Sequence, residues 1–414
     1  MYKFYKILLT FLATSWLLAQ NPTVLHEGGS YIFTWSEKVQ VDDLPSQLTM
    51  NHLNGDVLIR GQESETIRYI EKIQIRADSQ KEANNLWDDY HYALEEDKNG
   101  YVVNRENRKN FNWDKYGIRV EYIVDVPFMT SIAVSTLGGD IHISDIQGAV
   151  ELVSAGGDVH IEDILGRVFS KTYGGDTYAY HLEGKIEINS AGGDIDLRIL
   201  TGDISVETGG GDIEMREING NLDVVTMGGD IELSEMKGLK TRLTTMGGDI
   251  EVEACESEIY VETKGGDINL RDISGFTIGK TYGGDISATN INGSATLETL
   301  SGDIKINRIF GAIDVKTQHG SIFISKYFSS ALENHSILAS SRNGDVTLEL
   351  YQNPDATFNL TTRGYENKIV SDFPLVTISS NPSRKTMSGT SGKGTYPIDI
   401  YVENGNILLS KRNQ

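Results

Sequence analysis

Apolar and polar residues alternate in short stretches that return about every 18 residues through the middle of the chain. Counted from the Asp of each Gly-Gly-Asp, apolar side chains stand one, three and six residues further on, with polar side chains between the first two. Alternation with a period of two predicts a strand with one buried face. Gly recurs eight residues after the Asp and predicts a turn, after which a second alternating strand follows, as in GKIEINS at 184–190.

The Asp of this repeat forms a column whose step is 18 residues in every case but one. The extra residue falls near Leu239 and Lys240. Fourteen residues after each Asp, allowing for that insertion, Ser or Thr recurs and predicts a ladder of hydroxyl groups beside the glycine pair. Cys255 occupies the apolar column six residues after Asp249 and is therefore predicted to lie in the core. The column itself consists of Asp140, Asp158, Asp176, Asp194, Asp212, Asp230, Asp249, Asp267, Asp285 and Asp303.

A fixed repeat of this length predicts stacked coils about 4.8 Å apart, each of which buries its apolar face on the next. The predicted fold is all-β: a single-stranded parallel β-helix, or β-solenoid, of about 18 residues per repeat with a short N-terminal α-helical cap. An antiparallel β-sandwich is the main structural alternative. It explains the fixed step poorly, because stacked hairpins do not require chemically identical turns.

We expect four segments: a signal peptide at 1–19, N-terminal strands and a capping helix at 20–130, regular solenoid at 131–325, and degenerate coils with a cap at 326–414. The helix is predicted within 79–97, where Leu86, Tyr90 and Leu94 recur at steps of four. Such a helix covers the open end of a solenoid. Isolated copies of the Asp turn are expected at Asp56, at Asp345 and in YVENGNILLSK at 401–411.

The N-terminus predicts export. Lys3 and Lys6 precede an apolar run, Ile7–Leu18, that ends before Ala19 and Gln20. A membrane anchor is the weaker alternative, because a spanning helix needs roughly 20 apolar residues. We therefore expect a soluble chain without a transmembrane segment after signal removal, in the periplasm, on the cell surface or secreted. The net charge of -22 argues against binding nucleic acid, whose phosphates need a basic surface.

The Asp column has two interpretations. Stacked carboxylates repel one another, and bound calcium would relieve that repulsion. The chain lacks the second glycine and Asp of the calcium-binding nonapeptide pattern. The favoured interpretation is that each Asp accepts a backbone N–H at its turn, so no metal residue is assigned.

Two further sets of outward residues could carry chemistry. Glu214, Glu232 and Glu251 are neighbours in one outward column with Arg198 and Arg216 near them, as in a polysaccharide-active β-helix, but no paired acid in a cleft is evident. A separate set, His142, His160 and Tyr178, shares one column in adjacent coils, but a third metal ligand is not evident, so surface histidines are preferred. We assign no catalytic residue and no cofactor.

Several pieces of the chain resemble the bacterial putative-adhesin family of exported β-strand-repeat proteins. They are HLNGDVLIRG, VDVPFMTSIAVSTLGGDIHI, the repeated GGDI and IDIYVENGNILLSK. The resemblance implies a right-handed single-stranded β-helix on an envelope or secreted protein, and it carries over no catalytic residue. The predicted function is a non-enzymatic exported scaffold, adhesin-like, with a cell-surface protein or glycan as partner. The alternatives are a polysaccharide-active β-helix enzyme and a calcium-dependent adhesin.

Overall fold

The computed structural model describes residues 21–104, 117–329, 331–351 and 354–412. The predicted signal peptide at 1–19 lies outside the described residues and stays a prediction. Within the described ranges the chain forms 33 strands and one helix. The N-terminal elements are β1 Thr23–Glu27, β2 Ser30–Gln40, β3 Ser46–Leu53, β4 Asp56–Gln62, β5 Thr66–Arg76, α1 Gln80–Tyr90, β6 Glu95–Asp97, β7 Gly100–Asn104, β8 Arg119–Pro127 and β9 Thr130–Thr136.

The regular part of the solenoid follows. Its strands are β10 Ile141–Ile146, β11 Val150–Ser154, β12 Val159–Leu165, β13 Val168–Thr172, β14 Thr177–Ser190, β15 Ile195–Thr208, β16 Ile213–Thr226, β17 Ile231–Thr244, β18 Ile250–Glu262, β19 Ile268–Ser274, β20 Thr277–Thr281, β21 Ile286–Asn292, β22 Ala295–Thr299, β23 Ile304–Ile309, β24 Ile313–His319 and β25 Ile322–Lys326. In β14 to β17 one strand runs from each Asp turn to the next Gly-Gly pair, through the glycine where a break was expected.

The C-terminal part ends the array. Its strands are β26 Ile337–Asn343, β27 Val346–Leu350, β28 Ala356–Arg363, β29 Ile369–Ser371, β30 Val376–Asn381, β31 Arg384–Ser391, β32 Tyr396–Asn404 and β33 Ile407–Lys411. Together the three parts form one long, mostly parallel sheet that winds through the coils.

Parallel pairing in register confirms the β-solenoid. Ile195 pairs with Ile213, and Ile213 with Ile231, so residues one repeat apart stack directly. All three are almost completely buried, as are the other members of the apolar columns. The antiparallel sandwich is therefore not the fold, because its strands would pair with reversed direction.

A bend inside each coil comes from residues with left-handed backbone conformation. Five residues after each Asp of the column, φ lies between 54° and 63°, although none of these residues is glycine. The set is Asp145, Asp163, His181, Ile199, Glu217, Glu235, Ala254, Asp272, Asn290 and Arg308. A left-handed backbone costs about 1–2 kcal/mol for most L-residues. Stacking of identical bends in successive coils must therefore offset that cost at each of the ten positions.

The one-residue insertion, Ser257 and an inward Thr241 form a single local unit. The ladder shifts register around Gly238 and Leu239, and the positive φ seen at Gly220 is not repeated at Gly238. One coil later, Ser257 can therefore stand in the glycine column. Thr241 points inward between apolar neighbours, and its hydroxyl donates to Ser257 Oγ at 2.9 Å. The insertion thus explains two other departures from the repeat.

The coils at both ends stack out of sequence order. β3 and β4 lie between the coil of β7 and β8 and the coil of β9 and β10. Likewise, β32 and β33 lie between the coil of β26 and β27 and the coil of β28 and β29. The outermost coil at each end is thus hydrogen-bonded to a coil that is not its neighbour in the sequence. Such an end cannot unwind one coil at a time in sequence order.

Antiparallel strands cover both ends of the stack. β8 pairs with β5, β5 with β2, and β2 with β1 at one end, while β28 pairs with β31 and β31 with β30 at the other. β1 and β30 are the last strands of these two antiparallel extensions, and each has a single partner. β1 is short and β30 is bulged, and both features discourage pairing with other chains.

Helix α1 covers the N-terminal end of the core. The Ser79 hydroxyl accepts the Glu82 N–H, and Leu86, Trp87 and Tyr90 are buried. The helix ends at Tyr90, short of the predicted range, and the buried Leu94 lies beyond it.

The reason for the early end is competition for backbone N–H groups. The buried Glu71 carboxylate accepts the Tyr92 N–H at 3.3 Å, and the Glu37 carboxylate accepts the Leu94 N–H. These side chains come from β5 and β2, which pack against the helix. Their acceptors replace the carbonyl groups that a longer helix would have supplied.

Cys255 is fully buried, as predicted, between Met236 and Ile273 of the adjacent coils. Burial raises the pKa of its thiol to about 12. The thiolate that reacts with disulfide reagents is therefore scarce at neutral pH. We expect labelling by Ellman's reagent to be slow in the native protein and fast in denaturant. Rapid native labelling would contradict the assigned column.

Lys326 is fully buried at the end of β25, where its Nζ donates to the carbonyl groups of Phe310 and Gly311. Burial lowers the pKa of Lys326 to about 7. In the unfolded chain the pKa returns to about 10.4, so the unfolded state binds more protons between these values and stability rises with pH there. We expect the stability of the wild type relative to Lys326→Met to increase from about pH 7 to pH 10. A constant difference across denaturant titrations in that range would contradict this prediction.

Candidate binding face

The Asp residues of the repeat form a continuous hydrogen-bonded ladder. In each coil the Asp Oδ1 accepts the backbone N–H of the Asp in the next coil, over 2.7–3.0 Å. Asp303 does the same for Ser321, and Asp345 for Asn406. The predicted role of the Asp as an N–H acceptor is confirmed, with the donor in the neighbouring coil. We call this column the Asp ladder.

The Gly-Gly pair and the hydroxyl column complete the same corner. Thr226 donates to the Gly211 carbonyl of the preceding coil at 3.3 Å and accepts the N–H groups of Gly228 and Gly229. The second glycine is required sterically, because a Cβ on Gly229 would lie 2.0 Å from the carbonyl oxygen of Gly211. A Cβ on the first glycine, Gly228, would meet nothing closer than 3.9 Å. Stacking of the coils thus explains the second glycine of the motif.

The Asp ladder should fold without calcium. A charged hydrogen bond contributes about 1.5–3 kcal/mol, which exceeds the repulsion of about 1 kcal/mol between neighbouring exposed carboxylates. We expect the melting temperature after exhaustive chelation to match that in calcium, apart from a small shift that magnesium or matched sodium chloride reproduces. Unfolding on chelation with rescue by micromolar calcium alone would contradict this and would make the ladder a set of metal sites.

The acidic column stands on an open surface. Glu214, Glu232 and Glu251 pair in register in successive coils, and all are exposed. Arg216 binds Glu235 at 2.9 Å, while Arg198 lies 3.8 Å from Glu214. The arrangement is a ladder of like charges with arginines at its margin. It offers no enclosed site in which one carboxylic acid could be held protonated beside an ionised partner.

The histidines and Tyr178 form a stacked column, which we call the aromatic ladder. The rings of His142 and His160 lie 5.9 Å apart, and those of His160 and Tyr178 lie 4.8 Å apart with an interplanar angle of 12°. Burial first, and then the neighbouring His160, lower the pKa of His142. The imidazole is thus kept neutral at physiological pH. In the part of the chain that the structure describes, no group of three metal-ligating side chains occurs.

A shallow depression of about 160 Å³ lies beside the aromatic ladder. Its second wall comes from the column two residues further along each strand, namely Glu162, Tyr180 and Arg198. Arg198 crosses between the walls and binds Asp196 through two hydrogen bonds of 2.9 and 2.8 Å. The structure thus brings His142, His160, Tyr178 and Arg198 to one place.

Tyr180 and Asp196 belong to this depression and were not singled out in the sequence. Both stand in outward columns of the same two coils as Tyr178 and Arg198. Reading the two outward columns side by side would have placed an aromatic cluster next to an Asp-Arg pair. Alternation within a single column carries no signal of which residues face one another across two columns.

Comparison with known families identifies the fold independently. The Toastrack DUF4097 family matches residues 170–275 and 257–410, which together span more than half of the chain. The chain belongs to this family. The match covers most of the regular solenoid and the C-terminal coils, in agreement with the resemblance to adhesin-like repeat proteins.

Two solved structures share low identity with the chain. One, described as a putative cell adhesion protein from Clostridium sporogenes, aligns with 92% of this chain and 100% of its own, at 9% identity and a TM-score of 0.15. The other, described as a putative adhesin from Bacteroides fragilis, aligns with 77% of this chain and 96% of its own, at 12% identity and a TM-score of 0.18. No curated protein matches the chain.

In the described part of this Toastrack chain, no helix is long and apolar enough to span a membrane. α1, the single helix there, has 11 residues, of which Lys81, Glu82, Asp88 and Asp89 are charged.

Proposed function

We propose that the chain is an exported, non-enzymatic scaffold of the cell surface or periplasm that acts as an adhesin-like interaction protein. The observation that carries this is the contrast between constant and variable columns. Inward and corner positions repeat the same chemistry in coil after coil, whereas outward positions change from aromatic to acidic to polar. A rigid support with a varied outer face suits recognition.

Export rests on the N-terminal pattern of Lys3, Lys6 and the apolar run that follows. The non-enzymatic role rests on the exposed acidic column, since polysaccharide hydrolysis needs an acid and a base in defined environments. A cell-surface protein or glycan is the proposed partner. Nucleic acid is disfavoured by the net charge of -22.

The experiment is deletion of the chain from its own host, followed by measurement of cell attachment under flow. We expect attachment to fall and to be restored by the full chain but not by a chain lacking residues 1–19. Fractionation with an epitope tag should place the restored protein outside the cytoplasm. Unchanged attachment after deletion, or a cytoplasmic location, would contradict the proposal.

The enzyme alternative has its own test. Purified protein is incubated with a panel of polysaccharides, and release of reducing ends is measured. We expect none above background. Release that is abolished in Glu214→Gln, Glu232→Gln or Glu251→Gln would overturn the scaffold proposal in favour of a polysaccharide-active enzyme.

A further inference from the structure

The depression beside the aromatic ladder is a candidate ligand site with a definite chemistry. Tyr178 and Tyr180 are 40% and 45% exposed and flank the groove between two outward columns of one strand. Large exposed aromatic side chains gathered in one place usually mark an interaction site. The question is which class of ligand fits.

Ring orientation argues against a cationic ligand. Both faces of His160 are covered, one by His142 and the other by Tyr178. A cage for a quaternary ammonium group needs ring faces turned toward the ligand. Stacking on both faces leaves only the edges of the His160 ring free, and ring edges carry partial positive charge that attracts oxygen atoms.

The surrounding charge argues against an anionic ligand. Burial raises the pKa of Tyr178, and the nearby carboxylates of Asp176, Asp158 and Asp196 raise it further. The phenol therefore stays protonated and can donate a hydrogen bond. The same carboxylates would repel a phosphate, sulfate or uronate group. The one cationic side chain that lines the groove, Arg198, is already paired with Asp196.

The remaining groups suit vicinal hydroxyls. Glu162 and the remaining lone pairs of Asp196 provide acceptors, the Arg198 N–H groups that are not bound to Asp196 provide planar donors, and Tyr180 provides a hydroxyl that can donate or accept. Adjacent hydroxyl groups on a sugar ring can bind such groups in pairs, while C–H groups of the sugar contact the exposed aromatic carbon of Tyr178 and Tyr180. A neutral polyhydroxylated ring is the class that uses all of these features together.

We propose that this depression binds one ring of a neutral saccharide chain, with Tyr178 and Tyr180 as apolar contacts and Glu162, Asp196 and Arg198 as hydrogen-bonding groups. Its volume of about 160 Å³ is below the roughly 300–1,000 Å³ of sites for drug-sized ligands, which fits a single ring. The site deepens the proposed adhesin-like function and rests on it for its biological setting.

The chain contains its own comparison for this site. The sequence KTYGGD occurs at 171–176 and again at 280–285, and the second copy has Ser287 and Thr289 where the first has Tyr178 and Tyr180. Tyr178→Ser with Tyr180→Thr therefore introduces the residues that another coil of this array carries at the equivalent positions. Tyr282→Ser removes a similarly exposed tyrosine outside the depression and serves as the matched control.

The test uses residues 20–414 and neutral hexasaccharides of β-1,4-glucose, β-1,3-glucose, xylose, mannose and N-acetylglucosamine, with polygalacturonate and choline as charged probes. Binding is measured by isothermal titration calorimetry. We expect the wild type and Tyr282→Ser to bind at least one neutral hexasaccharide equally. The double variant should bind it at least tenfold more weakly with an unchanged melting temperature.

Three results would overturn the inference: no neutral hexasaccharide binding at millimolar concentrations, binding confined to polygalacturonate or choline, or equal binding by the double variant. Failure of the proposed adhesin-like function can be distinguished from failure of the saccharide site. If deletion of the chain lowers attachment but no hexasaccharide binds, only the saccharide site is wrong. If the hexasaccharide binds through the tyrosines but deletion leaves attachment unchanged, the site stands and the adhesin-like function is wrong.

Discussion

Replacement of Ile213 by Asp is expected to lower the free energy of unfolding by about 4 kcal/mol, because it places an unpaired carboxylate in a dry column. Ile213 is 1% exposed and is stacked between Ile195 and Ile231 of the neighbouring coils. Its stacked neighbours and Met215, the next inward residue of the strand, carry no hydrogen-bond donor in their side chains. Urea titration followed by circular dichroism measures the loss.

Glu214→Asp is the matched control for this change. Glu214 is the next residue in the same strand but faces outward and is exposed. We expect its substitution to change stability by less than about 0.5 kcal/mol, as at other surface positions. Equal losses at both positions would show that the assignment of inward and outward faces is wrong.

Gly229→Ala is expected to destabilise the solenoid by about 3 kcal/mol, near the upper end for overpacking. The added Cβ would lie 2.0 Å from the carbonyl oxygen of Gly211 in the preceding coil, a contact that only backbone movement can relieve. That movement would also stretch the hydrogen bond of 2.8 Å from the Asp230 N–H to Asp212. Thermal and urea unfolding measure the effect.

The neighbouring glycine gives the control. A Cβ on Gly228 would meet nothing closer than 3.9 Å, and its φ is not in the left-handed region. Gly228→Ala should therefore be neutral or stabilise by a few tenths of a kcal/mol through the unfolded state. If both alanine variants lose stability equally, close approach of the coils does not explain the second glycine.

The inward columns could be predicted from the sequence because they depend on a short-range rule repeated many times. Alternation identifies the buried face of each strand, and the fixed step identifies the partner one coil away. Cys255 is the clearest case, since a single residue was placed in the core by its column alone. The recurring Asp was likewise identified as an N–H acceptor.

The features that escaped prediction depend on long-range pairing or on backbone conformation. Asp56 was recognised as a copy of the turn, but its place next to Asp140 is set by pairing across 84 residues. The left-handed column holds residues as different as Ile199 and Asp272, so residue type gives no signal there. Tyr180 was missed because its role depends on the neighbouring column.

The central claim is that outward residues one repeat apart stack in a single column at about 4.8 Å per coil. Spin-label distances in a Cys255→Ala background test it directly, with Lys305 as the fixed position. Glu232 lies four coils away and Glu214 five, through the pairings of β16 to β23. We predict a distance to Lys305 of about 19 Å from Glu232 and about 24 Å from Glu214. Moving the label by 18 residues along the sequence thus changes the distance by about one strand spacing. Equal distances, or a shorter distance for Glu214 than for Glu232, would contradict the solenoid.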